Sequence, residues 1–104
     1  MPPDARIVDQ RFLLLSLQRA LLGAVHPQLR QASIEAEAAR QLLRLRFEYE
    51  GLPCEDAREA CSIAATEVLA DLPSPWSVDE EHLAAPSPQP LQALAHTAYR
   101  RWEA

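Results

Sequence analysis

From Ile7 to Val25 the apolar residues recur at helical spacing. At about 100° per residue, Leu13, Leu14, Leu17, Ala20, Leu21 and Ala24 gather on one face, with Arg11, Gln18 and Arg19 opposite. Gly23 and Pro27 mark the end of this predicted helix. Leu15 and Leu22 fall with the polar group, one above the other. The helix is therefore either covered on both sides or carries an exposed apolar strip, and such a strip would suit dimerisation or a partner helix.

The period then changes to two. Leu43, Leu45, Phe47 and Tyr49 alternate with Arg44, Arg46, Glu48 and Glu50, which predicts a strand with one buried and one wet face. Upstream, Ala32, Ile34 and Ala36 alternate with Gln31, Ser33, Glu35 and Glu37. A loop at Ala38 to Gln41 joins the two as a hairpin. Pairing Glu37 with Leu42 sets Ala36 against Leu43, Ile34 against Leu45 and Ala32 against Phe47, so small residues oppose large ones. It also sets Glu35 opposite Arg44, a cross-strand pair that contributes a few tenths to about 1 kcal/mol. A slip of one residue would invert both faces, so the register is well specified.

Gly51, Leu52 and Pro53 form a turn, and Cys54 to Leu72 reads as a second helix, stopped by Pro73 and Pro75. Glu55, Asp56 and Glu59 suit the positive end of its dipole. Its buried face, Ala57, Cys61, Ala64, Ala65, Val68 and Leu72, is mostly small and allows close approach to a sheet. Trp76 to Leu83 reads as a strand whose alternation is spoilt by Glu80 and His82, as a bulge or an edge position would explain. Pro86, Pro88 and Pro90 make an extended linker. The final segment, Gln92 to Ala104, has helical spacing at Leu91, Leu94, Ala95, Ala98 and Trp102. His96 to Glu103 equally fits a closing strand that packs Trp102 into the core.

The 104 residues suit a single domain, with Met1 to Arg6 as a frayed lead-in. Fifteen acidic against ten basic residues give a net charge of -5, which argues against a general nucleic-acid or anionic-membrane binder. The apolar stretch Phe12 to Val25 is broken by Ser16, Gln18 and Arg19, too short and polar to span a membrane, and the start has no secretory pattern. Cys54 and Cys61, two helical turns apart, are too distant for a disulfide and read as reduced thiols of a cytoplasmic protein. Every basic side chain is arginine, which fits a coding bias or bidentate pairing at an interface.

Catalytic signatures are missing from the pattern. The two glycines, Gly23 and Gly51, build no phosphate loop. His26, His82 and His96 are far apart, without metal-ligand spacing, so no metal or cofactor is expected. His82 reads as a solvated residue unless folding brings it to Asp79 or Glu81, and no serine has a nucleophile context. Cys54 lies near a helix start but has no basic neighbour in sequence to activate it. Asp79, Glu80 and Glu81 form the densest negative run: either a charged edge that blunts strand pairing or an acidic patch for a basic partner. Arg100 and Arg101 beside Tyr99 and Trp102 have the composition of an interface anchor.

The stretches LLLSLQRALLGAVHPQLR, LRLRFEYEGLPCEDAREACSIAATEVLADLP and the tail ending YRRWEA resemble small bacterial immunity proteins encoded beside polymorphic toxins of contact-dependent growth inhibition. The resemblance covers most of residues 12 to 103. It departs at Cys54, where a capping residue such as Ser is expected, and at the helix-prone run Gln92 to Ala95. It implies the order αββαββ, with a final strand. The expected fold is an α+β two-layer sandwich, its four-stranded sheet mainly antiparallel with two helices packed on it. The implied function is non-enzymatic: binding and neutralising a cognate toxin domain, such as a nuclease whose basic cleft an acidic inhibitor complements. Charge and resemblance together make Asp79, Glu80, Glu81, Glu48 and Glu50 the expected partner-binding residues, with Arg44 and Arg46 next. The other class is a dimeric adaptor or secretion-chaperone-like protein that uses Leu15 and Leu22.

Overall fold

The computed structural model of the protein describes residues 9–103; the expected lead-in, Met1 to Arg6, lies outside them. The first helix, α1, runs Gln10–Leu21. Asp9 caps it by accepting the Phe12 N–H at 2.8 Å. It stops just before Gly23, whose φ of +76° is open to glycine at little cost. Then come β1, Leu29–Glu37; a single 3₁₀ turn, Ala38–Arg40; and β2, Leu42–Tyr49. The second helix, α2, spans Glu55–Ala70, and β3, Ser77–Ala84, and β4, His96–Arg100, complete the chain.

The hairpin pairs as the alternation requires: Glu37 faces Leu42, Ala36 Leu43, Ile34 Leu45 and Ala32 Phe47, while Glu35 faces Arg44. The Arg44 guanidinium stands 2.8 Å from the Glu35 carboxylate. The final segment settles as strand β4, antiparallel to β1, and Gln92 to Ala95 does not form a helix.

The sheet order is β3-β2-β1-β4, and its expected mainly antiparallel character is corrected by β3, which lies parallel to β2. The cause is α2. A chain that leaves β2, crosses one face as a helix and returns to the neighbouring position enters in the same direction. The sheet is mixed.

Both helices cover one face. Leu13, Leu17 and Leu21 of α1 and Ala57, Cys61, Ala64, Ala65 and Val68 of α2 close over Ile34, Leu43, Leu45, Phe47 and Tyr49. The small side chains of α2 bring its axis close to the sheet, so the large β2 residues fill the space between. Leu15 and Leu22 stay outside this core, 53% and 80% exposed, and are not covered. Leu45 is fully buried at the centre. Leu45→Ala is expected to lower the unfolding free energy by about 3 kcal/mol, read in urea titrations from a lower midpoint at unchanged slope.

Candidate partner-binding faces

The second sheet face was expected to be wet, and the structure corrects this. The proline-rich segment 85–95 crosses it as a strap. Proline lacks an N–H, so Pro86, Pro88 and Pro90 need no acceptor from the sheet. The neighbouring amides do, and the sheet supplies acceptors. The Ser87 N–H donates to Glu50, Gln92 N–H to Glu48 Oε2 at 2.6 Å, Leu94 N–H to Ser33 Oγ at 2.9 Å and Ala95 N–H to Glu35 Oε1 at 3.1 Å. In return Arg46 donates to the Gln92 carbonyl at 2.7 Å. Beneath the strap Gln31, Ser33 and Glu48 are buried, and Gln31 donates to Glu48 Oε1 at 2.9 Å.

Arg30 ties the start of the strap to the residues after β4. A bulge between Leu29 and Gln31 leaves Leu29 in the core and turns Arg30 to the strap side. There Nε and Nη2 grip both oxygens of Glu103 at 2.8 Å, and Nη1 donates to the carbonyls of Ala85 and Gln89. The hydrogen bonds from Arg30, then those from Arg101, hold the Glu103 carboxyl well below its ordinary range, at about 2. Glu50 is likewise lowered, first by Arg101 at 2.6 Å and then by the Ser87 amide.

The expected contact residues therefore separate. Glu48, only 1% exposed, holds the strap from beneath. Glu50 joins the strap to Arg101. Arg44 bridges Glu35 and Glu81, and Arg46 also meets Glu81, at 3.0 Å. The run Asp79–Glu80–Glu81 is divided by the pleat. Asp79 and Glu81 share the register positions of Arg44 and Arg46, while Glu80 pairs with Leu45 and turns toward α2. Of the three, Asp79 is exposed and without an ion-pair partner among the described residues.

Glu80 and His82 form a cluster that the sequence did not foretell. His82 meets neither Asp79 nor Glu81. Its ring stacks against Phe47 and Tyr49, with centroids 5.3 and 5.8 Å apart. Nδ1 lies 2.7 Å from the Tyr49 hydroxyl and Nε2 2.8 Å from Glu80 Oε1. Ser62 Oγ donates to the same Glu80 oxygen at 2.5 Å. A nucleophile relay would put serine and acid on opposite ring nitrogens. Here both converge on Nε2, and the serine hydroxyl donates its hydrogen bond to the acid rather than to the ring. Burial pushes the Tyr49 hydroxyl and the Cys61 thiol up, so both stay protonated. The sequence signal was the broken alternation of β3: an edge strand under a helix tolerates polar residues that partner one another.

Two more features depend on tertiary contact. Cys54 occupies the α2 N-cap without a side-chain capping bond, and the turn before β1 sets His26 Nε2 3.7 Å from its Sγ, the neighbour missing in sequence. Trp102, expected in the core, is 86% exposed. β4 ends at Arg100, and Arg101 and Glu103 are drawn to Glu50 and Arg30.

No helix among the described residues is long and apolar enough to cross a membrane, and no cluster of metal-ligating side chains occurs among them. Most polar groups under the strap and beneath α2 are engaged with one another, whereas large apolar side chains and several carboxylates face outward. Fold and surface define a small α+β protein with two helices on one face of a mixed four-stranded sheet. The chain belongs to the MafI2 immunity protein family, whose family model it matches over residues 10–103. This is consistent with an immunity protein of polymorphic toxin systems. No curated protein matches the chain.

Two outcomes test the strap. Arg30→Ala is expected to destabilise the fold by about 2 kcal/mol, because it leaves Glu103 with Arg101 as its one partner and the Ala85 and Gln89 carbonyls without their donor. Arg30→Lys recovers only part of this in thermal melts, since an ammonium cannot make the forked contact. Glu103 binds its proton less readily when folded than unfolded. Its stabilisation is thus complete above the ordinary value of 4.5 and disappears as pH falls through about 2. Glu103→Gln is expected to flatten the melting-temperature profile across that window.

Proposed function

We propose that the chain neutralises one cognate toxin domain by non-enzymatic protein–protein binding in the cytoplasm of the cell that makes it. The family match over residues 10–103 carries this reading. The acidic balance supports a partner with a basic surface, as the phosphate-binding cleft of a nuclease toxin would have. A toxin of a contact-dependent growth inhibition system is the expected target.

On this reading the β3 edge lends negative charge to the contact through Asp79, backed by Glu80 and Glu81. Arg44 and Arg46 set the geometry of Glu81, and Glu48 and Glu50 keep the strap in place. The exposure of Leu15 and Leu22 favours a second reading, a dimeric adaptor.

Co-expression of the tagged chain with the C-terminal domain of the large protein encoded immediately upstream separates the two. Immunity predicts a stoichiometric complex and survival of cells that carry the toxin domain. A chain that emerges alone, as a dimer that Leu15→Glu makes monomeric, supports the adaptor instead. Charge reversal at Asp79, Glu80 and Glu81 is expected to weaken the complex and reduce its salt dependence; unchanged affinity and salt dependence would remove the β3 edge from the contact.

A further inference from the structure

Three segments remote in sequence converge at the end of the sheet where β2 leaves it. They are the α1–β1 loop, the β2–α2 turn and the residues after β4. Gln28 ties the first two: its side chain donates to the Leu52 carbonyl at 3.2 Å and accepts from the Cys54 N–H at 2.8 Å, and its carbonyl accepts from the Glu50 N–H at 2.8 Å. Arg101 ties in the third, donating to the Pro27 carbonyl at 3.1 Å and to Glu50 at 2.6 Å.

Each segment holds out large apolar side chains. Leu22 is 80% exposed, Val25 39%, Leu52 84% and Trp102 86%, and the only other large hydrophobics so exposed among the described residues are Leu15 and Ile63. Leu22 and Val25 also border a shallow cleft of about 200 Å³ against Ala98 and Tyr99. Protruding aromatic and aliphatic side chains on pinned loops, beside a small concavity, have the form of interface anchors. Each hydrogen bond that pins the loops is made within the chain, so the anchors are held in place before a partner arrives, which limits the ordering cost of binding.

The charge beside them selects the occupant. Glu50, Arg101, Glu103 and Arg30 neutralise one another. The first turns of α2, which leave the same turn as Leu52, do not: Glu55, Asp56 and Glu59 are exposed and have no ion-pair partner among the described residues, with Arg58 the one basic side chain between them. A second copy docked by a two-fold axis on this end would bring two such acidic turns together. A partner whose apolar surface is rimmed by basic residues would gain from them.

We infer that the Leu22–Val25–Leu52–Trp102 end, bordered by Glu55, Asp56 and Glu59, is the main contact surface for a basic-rimmed apolar patch on the toxin domain. This rests on the immunity reading and places the energetic centre of the contact away from the strapped sheet face.

The test is binding of the full chain to the C-terminal domain encoded immediately upstream, measured by titration calorimetry at low and high salt. Trp102→Ala and Leu52→Ala are each expected to weaken affinity about 30-fold or more. Glu55→Lys with Asp56→Lys should reduce the loss of affinity with salt by more than half. Leu15→Ala and Ile63→Ala, exposed elsewhere, should stay within about 3-fold. The alanine variants remove exposed side chains, so their melting temperatures should hold; the double lysine variant opposes the α2 dipole and should melt a few degrees lower, and the melts confirm that each variant is folded. If the wild type binds and Trp102→Ala and Leu52→Ala bind equally well, the surface is wrong while the immunity function stands. If these variants only turn a wild-type dimer into a monomer and leave toxin affinity intact, the end is a self-association face and the inference falls. A wild-type chain that does not bind the domain overturns the immunity reading and this surface with it.

Discussion

One buried guanidinium joins the ends of this fold. Arg30 sits where a bulge gives β1 an extra residue, and its fork reaches Glu103 near the end of the chain and the Ala85 and Gln89 carbonyls at the start of the strap. Remove that fork and three segments lose their common partner. Lysine would not serve, because the contact uses donors on three nitrogens in a fixed plane. The acid sensitivity expected of Glu103 and Glu50 has the same root, since both carboxylates are held ionised by the arginines around the strap.

The consequence is a protein with two unlike interiors. Between helices and sheet lies an ordinary apolar core, with the Tyr49–His82–Glu80–Ser62 cluster at its β3 edge. Between sheet and strap lies a polar layer in which carboxylates read backbone amides and arginines read backbone carbonyls. Such a layer is costly unless its members find partners. Proline at alternate positions of the strap lowers the number of amides to be satisfied.

Because so many charges are used internally, those left outside carry more meaning. The carboxylates of α2 and Asp79 face solvent without ion-pair partners among the described residues, and the largest exposed apolar side chains stand on loops that hydrogen bonds hold together. Membership of the MafI2 immunity protein family gives that surface its context.

The sequence by itself determined the hairpin and its register, the two helices, their order and their buried faces. These follow from local periodicity: a strand repeats every two residues, a helix every 3.6, and a slip exposes the wrong side chains. The mixed sheet was not in that reading: a helical connection implies a parallel return only when the next strand lies beside the last, and the place of β3 beside β2 is a tertiary fact. Tertiary structure alone decided what covered the other sheet face. Alternation shows that Glu48 and Arg46 are polar; it cannot show that a strap some forty residues later needs their oxygens and nitrogens. The same holds for Glu80, which pairs with His82 because β3 runs beneath α2, and for Trp102, whose hydrophobicity suggested the core but whose neighbours Arg101 and Glu103 are drawn elsewhere. Buried polar groups are satisfied by partners distant in sequence, and those partners exist only once the chain has folded.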